Sequence, residues 1–432
     1  MLSNLSGKKL LILGGSKISC EIVRKAKAMG VYTMVTDWYP IDKSPAKKIA
    51  DESFMTSTTD IPALLKLIKE NKVDGILTGF TDSTLPHYAR ICEAANLPCY
   101  GTEEQFNTLI DKKVYKEVCK NYNIPIVDEF LFEPSKDSIN TSKITFPVLV
   151  KPSDSSGAKG VTICNEESQF LNAYEKALSY SEKKRVIVER YIKGKEVTIF
   201  YLLNDGEIYL TGMGNRHVKH NQDGVIPLPV AYTFPSVYLD KYRENTDSKV
   251  KRMFKDLGLK NGMVFMQCLI EKEEAIIYDI GYRLTGTLEY KLMEEINGYN
   301  PLKMLINFAL TGRMTEEPAN LPIESNWNKY ACNVSFLMKP GEIARIDGLE
   351  RIKEFPEVID AVIANDVGTI ISEELKGTLR QIVLRVFAVT DNRDDLEKVL
   401  DKIYKSLKVV STSGEDLLLP GFNTQELDGL LK

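Results

Sequence analysis

Lys151 ends an apolar run and opens a loop of small residues, Ser155-Ser156-Gly157-Ala158-Lys159-Gly160. Small side chains let backbone N–H groups close on phosphate oxygens, and Lys159 can reach the outer phosphates. The pattern is not G-x-x-x-x-G-K-[ST], and a second strand follows it, so it reads as a hairpin lid over phosphate. Alone, such a loop is equally a flexible turn with a solvated lysine. Lys112 at the head of a helix, and Glu189 and Glu196 in VIVERYIKGKEVTI, weigh toward a nucleotide. The two acids suit ribose hydroxyls, and the backbone of Arg190, Tyr191 and Ile192 suits a purine edge. Further on, AIIYDIGYRLTG carries Asp279, Gly281 and Arg283 out of a buried strand. Alternate strand residues share a face. An exposed ion pair contributes little stability, so an acid and a guanidinium placed there read as a site for something charged.

The elements that must hold these residues follow from periodicity. Over the first hundred residues strands alternate with helices: KLLILGG, a helix with Ile18, Ile22, Val23, Ala26 and Met29 on one face, VYTMVTD, a helix over 61–71, DGILTG, a helix over 84–95, and a last strand in LPCYG. That alternation predicts a parallel, doubly wound sheet. Two helical stretches then run to Asn123. After them come strand, glycine loop, strand, a helix in ESQFLNAYEKALSYS, and two hairpins. The first turns at Asn204-Asp205-Gly206 and the second at the charged EKEE. Helices resume over 288–311, and NVSFLM, RQIVLRVFAVT and a helix over 394–407 suggest a small α+β tail. The expected regions are 1–105, 106–314 and 315–432.

Composition limits the partners. The chain has 432 residues, 43% hydrophobic and 27% charged, with a net charge of −4. Its length suffices for a large core, and its charge gives no global attraction to nucleic acid or anionic lipid. Seven Cys without a C-x-x-C pair point to reduced thiols, hence a cytoplasmic protein. No apolar run approaches the roughly 20 residues needed to span a bilayer, and the N-terminus lacks a signal-like apolar stretch.

The order of parts resembles the ATP-grasp superfamily: a Lys at a helix head, a Lys before a small-residue loop, E-x-x-[IL]-x-G-x-E, and a late acid-to-Arg strand end. The resemblance covers about 1–315 and extends more weakly into the tail, which is similar to the C-terminal domain of biotin carboxylase-like members. Carbamoyl-phosphate synthetase-like and L-amino acid ligase-like proteins are the nearest in pattern. The fold it implies is α/β: an N-terminal Rossmann-like parallel sheet (the pre-ATP-grasp domain), a central two-lobed α+β ATP-grasp domain and a small C-terminal α+β domain. It implies that Lys112 and Lys151 bind the α- and β-phosphates of ATP, and that Ser155, Ser156, Gly157, Lys159 and Gly160 close over the β/γ-phosphates. It further implies that Glu189, Arg190, Tyr191 and Ile192 form the adenine linker and that Glu196 takes the ribose. Gln267 and Asp279 match the positions that hold Mg2+, or Mn2+ in its place, and Arg283 matches the catalytic arginine that steadies the reacting anion. The usual acid-x-Asn-x-Arg has Gly281 at its Asn, and Asp279 is one methylene shorter than the usual Glu. The clamp thus offers fewer protein oxygens, which magnesium tolerates by keeping waters and phosphate ligands.

Other candidates rank lower. LILGGSKISC with Asp37 is a poor dinucleotide fingerprint, because its glycines are adjacent and no third follows. Asp82 in GFTDSTLPHYA sits at a strand end, where a helix N-cap is an equal reading. Arg216 and His217, in a polar loop over 212–224, are substrate candidates. His217 with His220 lacks a third metal ligand nearby. Thr285 to Glu289 follow Arg283 and can line an acceptor pocket. The implied function is ATP-dependent joining of a carboxylate to an amine, an amino acid in the first instance, through an acyl-phosphate. The partners are small molecules and, at most, a second copy in a homodimer. The alternatives are bicarbonate activation, a nucleotide-sugar or purine-intermediate acceptor, and a non-catalytic nucleotide-binding protein.

Overall fold

The computed structural model describes residues 2–130, 141–154, 160–219, 228–317 and 323–430. At the N-terminus, β1 (Lys9–Leu13), β2 (Tyr32–Thr36), β3 (Glu52–Phe54) and β4 (Gly75–Leu77) form a parallel sheet in the order β3-β2-β1-β4. β1 is KLLIL, buried at every position after Lys9, as a parallel strand covered on both faces should be. The expected strand in LPCYG is absent. Pro98 carries no N–H for a ladder, Cys99 Sγ donates to Gly101 O at 3.0 Å, and Tyr100 turns instead into an edge-on contact with Phe106 and Tyr282.

β5 (Val148–Pro152), β6 (Thr162–Cys164) and β7 (Val186–Arg190) make a separate antiparallel sheet in the order β6-β5-β7. Helix Phe170–Tyr180 covers it through Phe170, Ala173 and Ala177. The β5–β6 pairing has the hairpin sense expected around the glycine loop. Ser155, Ser156, Gly157, Ala158 and Lys159 themselves lie outside the described residues.

The next strands are β8 (Glu196–Asn204), β9 (Glu207–Lys219), β10 (Leu228–Phe234), β11 (Gly262–Glu271) and β12 (Glu274–Gly281). Then come β13 (Tyr330–Leu337), β14 (Gly341–Asp347), β15 (Val358–Ile363), β16 (Ile370–Ile371), β17 (Ile382–Thr390) and β18 (Lys408–Ser411). Eight of them form one sheet in the order β12-β11-β8-β9-β10-β13-β17-β15. Asp205 and Gly206, at φ 53° and 86°, give the β8–β9 hairpin the left-handed turn that Asp-Gly favours. Lys272 and Glu273 take the same region between β11 and β12.

The sequence expectation of a region of its own from 315 to 432 meets a sheet that runs across that point. β13 pairs with β10 and covers an edge that would otherwise be open. The polar loop expected over 212–224 is replaced by strand as far as Lys219, because Asn215, Arg216 and His217 pair with Thr233, Tyr232 and Ala231. Residues 220–224, His220 included, lie outside the described residues. The largest apolar core is shared by the parallel sheet and one face of the large sheet. A second core lies under helix Arg393–Ser406.

Candidate active site

The other face of the large sheet collects the polar candidates in rows. Asp279 on β12 faces Gln267 on β11, and Gln267 faces Thr198 on β8. Directly opposed residues bring their Cβ atoms to about 5 Å. Helix Lys112–Asn121 aims its first residue here: Lys112 Nζ is 3.8 Å from Asp279 Oδ1. Asp111 caps that helix by accepting from the N–H groups of Lys113 and Val114. Thr198 is buried, and its Oγ1 has no hydrogen-bond partner.

Beyond Gly281 the strand splits its side chains. Tyr282 enters the core, where its hydroxyl donates to Tyr100 O at 2.6 Å. Arg283 emerges on the polar face. Its Nε donates to Asp82 Oδ1 at 2.6 Å, and its guanidinium lies 5.0 Å from the centre of the Phe265 ring. Burial pushes the Arg283 group down, and the Asp82 carboxylate more than reverses this. Asp82 is therefore an anchor for Arg283 and does not cap its helix. Asp279 and Arg283 do not neutralise each other; each has its own partner.

Phe265 also explains Gly281. A Cβ at 281 would fall 2.3 Å from Phe265 Cε1, so no side chain fits while that ring is in place. The ring that excludes an Asn at 281 is the one that lies against Arg283.

Glu189 is turned away from any ribose. It is 1% exposed, and its Oε2 is 2.7 Å from Lys151 Nζ while its Oε1 holds Lys116. Burial raises the Glu189 carboxyl, and Lys151 and Lys116 together bring it below its ordinary range. Burial lowers Lys151, against the pull of Glu189. Arg190 forks onto Glu271 at 2.7 and 2.9 Å. Tyr191 N donates to Pro147 O at 3.1 Å. Ile192 packs with Val127 and Ile276 in a small apolar patch edged by Leu269 and Tyr278. Gly160 is buried where the glycine loop returns to β6.

A second row runs from Glu196 to Arg216 to Tyr232 to Asn333 across β8, β9, β10 and β13. Glu196 binds the Arg216 guanidinium and accepts from Tyr278 Oη at 2.9 Å. Arg216 Nε donates to Tyr232 Oη at 3.2 Å. His217 points to the opposite face, 2.8 Å from Thr233 Oγ1 and against the Phe422 ring. Burial, aided by Lys195, pushes it down to about 3, which makes it a neutral packing residue and removes it from the substrate face. Thr285 donates to Glu289, which is fully buried. Asp37 accepts from Gly15 N at 2.8 Å and Ser44 Oγ at 2.7 Å and pairs with Lys47 at 2.6 Å, so its carboxylate serves the local fold.

Residues 111–317 match the family model described as carbamoyl-phosphate synthase L chain, ATP binding domain. That segment, just under half of the chain, is an ATP-grasp domain. Among curated proteins, the 2-oxoglutarate carboxylase small subunit of Hydrogenobacter thermophilus is 26% identical over 327 residues, covering 71% of this chain and 67% of that one. The carbamoyl phosphate synthase large chain of Clostridium beijerinckii is 22% identical over 329 residues, 72% of this chain but only 30% of the synthase. The solved structure of L-amino acid ligase from Bacillus licheniformis has a TM-score of 0.76 at 18% identity, covering 94% of this chain and 99% of that chain. The ATP-grasp fold thus reaches well beyond the matched domain.

ATP-grasp enzymes use ATP and Mg2+. The donors here suit a hard cation: the Gln267 amide oxygen, the Asp279 carboxylate and the unpartnered Thr198 hydroxyl are all oxygen ligands. Among the described residues no three of His, Cys, Asp and Glu cluster to hold a metal without help. That agrees with an ion held jointly by protein and phosphate. Sequence reasoning missed Lys116, Phe265, Thr198 and Arg385. Lys116 had a signal, since it lies one helical turn after Lys112. The others depend on sheet register that no local pattern encodes.

Proposed function

We propose that this chain is an ATP-dependent ligase joining a carboxylate to an amine. The carboxylate oxygen attacks the γ-phosphorus and ADP leaves; the amine nitrogen then attacks the acyl carbon and phosphate leaves. The observation that carries the reading is the Asp279–Gln267–Thr198 row beside Lys112, with Arg283 fixed next to it by Asp82. Phosphoryl transfer needs positioning and charge stabilisation more than covalent participation, and these groups supply both. In this reading Lys112 and Lys151 take the α- and β-phosphates, and Ser155–Gly160 closes over the outer ones and excludes water. Glu189 keeps Lys151 in place. The backbone at Arg190–Ile192 and the Ile192 patch receive the purine, and Glu196 the ribose. Gln267 and Asp279 hold Mg2+, which neutralises phosphate charge. Arg283 steadies the acyl-phosphate.

The division into 1–105, 106–314 and 315–432, a homodimer and a cytoplasmic location belong to the same proposal. All seven cysteines are free, which suits a reducing compartment. Among the described residues no helix is long and apolar enough to cross a membrane. The likeness to a carboxylase subunit supports a second reading, bicarbonate activation. Phosphate release from Mg-ATP decides between them. Release that needs an organic carboxylate and an amine supports the ligase. Release on bicarbonate alone supports the second reading. ATP binding without release under any condition overturns both.

A further inference from the structure

Three half-buried arginines face the polar side of the large sheet, and two of them are ion-paired: Arg216 with Glu196 and Arg283 with Asp82. Among the described residues Arg385 on β17 makes no ion pair with a carboxylate. Its one hydrogen bond runs from Nη1 to Ser335 Oγ at 2.5 Å, across the β13–β17 rung. Asn333, two residues before Ser335, shares that face and opposes Tyr232. Asn333 Nδ2 donates to Thr287 O at 2.5 Å, yet its buried Oδ1 has no partner. Glu289, carried by the segment that follows Arg283, is 0% exposed; one carboxylate oxygen takes the Thr285 hydroxyl and the other, Oε1, has no partner.

A buried acid and a half-buried guanidinium therefore lie near Tyr232, close enough to attract each other but without a direct ion pair. Burial opposes the charged form of each, raising Glu289 and lowering Arg385. Their mutual attraction compensates them only in part, and a fold gains nothing by keeping two incompletely satisfied charges and two unpartnered buried oxygens together. A ligand carrying both signs would compensate all of them. A phosphate would satisfy Arg385 but face Glu289. A simple amine would satisfy Glu289 and leave Arg385 bare.

Resting on the ligase reading above, we propose that Arg385, Glu289 and Asn333 form the seat of the amine substrate, a free α-amino acid bound as its zwitterion. Arg385 takes its carboxylate in the forked geometry guanidinium favours, and Glu289 takes its ammonium, with Asn333 Oδ1 as a further acceptor. Thr285 ties this seat to Arg283, two residues away, so the amine nitrogen lies toward the acyl-phosphate.

The test uses the full chain with Mg-ATP. Ligand-detected NMR and phosphate release are measured, with a pooled panel of small organic carboxylates present throughout, for each standard L-amino acid, its carboxamide and its des-amino acid. The expected result is an amino acid that binds and drives release while its carboxamide and des-amino analogue both fail. Arg385→Met should raise KM for that amino acid on the order of 100-fold and leave KM for ATP unchanged. Glu289→Gln should do the same, and Arg385→Lys should recover part of the loss. Release that proceeds equally well with the carboxamide or with simple amines overturns the zwitterion seat while leaving the ligase reading intact. No release with any amine, with ATP bound, overturns the ligase reading itself. If Arg385→Met does not fold, the wild-type comparison of amino acid with carboxamide still decides.

Discussion

Replacing Glu189 with Gln removes the one carboxylate that faces two buried ammonium groups. The side chains of Lys116, Lys151 and Glu189 are 2%, 7% and 1% exposed. Gln is nearly isosteric, so the change is almost purely one of charge. Breaking a buried pair typically costs about 3–5 kcal/mol; here Lys151 loses the carboxylate it is paired with, while Lys116 keeps only Glu129 Oε2 at 3.5 Å. At roughly 2–4 °C per kcal/mol for a domain of this size, the melting temperature should fall by about 6–20 °C. The sign of the pH dependence follows from the directions. In the wild type, Glu189 is lowered by its lysines, so its contribution is present above the unfolded carboxyl range and lost as pH falls through the folded value. In the variant, a Lys151 already lowered by burial should release its proton more readily. The unfolded chain then binds more protons, and the deficit should shrink as pH rises toward the ordinary lysine range. Removing the second uncompensated charge, in Lys116→Met/Glu189→Gln, should recover part of the loss. Differential scanning fluorimetry from neutral to alkaline pH measures all three. A variant that melts within about 2 °C of wild type at pH 7 would refute the reasoning, since a buried, doubly paired carboxylate cannot be that cheap to lose.

Other perturbations separate the remaining parts of the site. Asp82→Asn removes the charge that aims Arg283 from 201 positions away; kcat should fall on the order of 10²-fold with KM for ATP little changed, and unchanged kcat in a steady-state assay would detach Asp82 from the reaction. Gly281→Asn restores the family's usual residue but drives a side chain into the Phe265 ring, so it should lose about 1–3 kcal/mol of stability and not gain activity; urea melts and phosphate release would show the reverse if the ring yields. His217, held near 3 by burial, binds fewer protons folded than unfolded between that value and the ordinary histidine range, so acid should destabilise the chain through it. His217→Gln should narrow the difference in melting temperature between pH 7 and pH 5; an unchanged difference would say that the ring is solvated.

The parts legible in sequence are those encoded locally. Lys112 and Lys151 were marked by a helix head and a strand end, and Gln267 and Asp279 by two strands about one hairpin whose register follows from the turn. What could not be read was long-range. Asp82 and Arg283 are separated by 201 positions, and nothing near either predicts the other. Glu189 was assigned to a ribose because an exposed acid in a linker would go there; the structure buries it, and the two lysines then claim it. Arg216 and His217 were grouped as a loop because Gly, Asn and His break patterns, but pairing with β10 overrides local preference and sends the two side chains to opposite faces. Glu289 was legible only as the end of a segment that follows Arg283, and Arg385 was invisible, because a missing partner appears only when the sheet is assembled.

Gly281 invites the view that this is a worn site whose metal clamp has lapsed. The geometry argues against it. The glycine is matched to Phe265, whose ring lies against Arg283, so the missing side chain makes room for a support to the arginine. A site under no selection should shed costly buried polar atoms, yet Thr198, Asn333 and Glu289 keep unpartnered oxygens. The clamp is therefore lean, and Gln267 is where it can be tested. Gln267→Glu places a second carboxylate opposite Asp279 on the neighbouring strand. Like charges so opposed are destabilising by about 0.2–1 kcal/mol, with Lys112 offsetting a part of that. A divalent ion should reverse the sign, because affinity rises with the number of ligand charges. Without metal the variant should melt slightly below wild type; with saturating Mg2+ and ADP it should gain more than wild type does. Equal gains in the two proteins would place the metal elsewhere, and the Asp279–Gln267 row would lose its assigned part in holding the nucleotide.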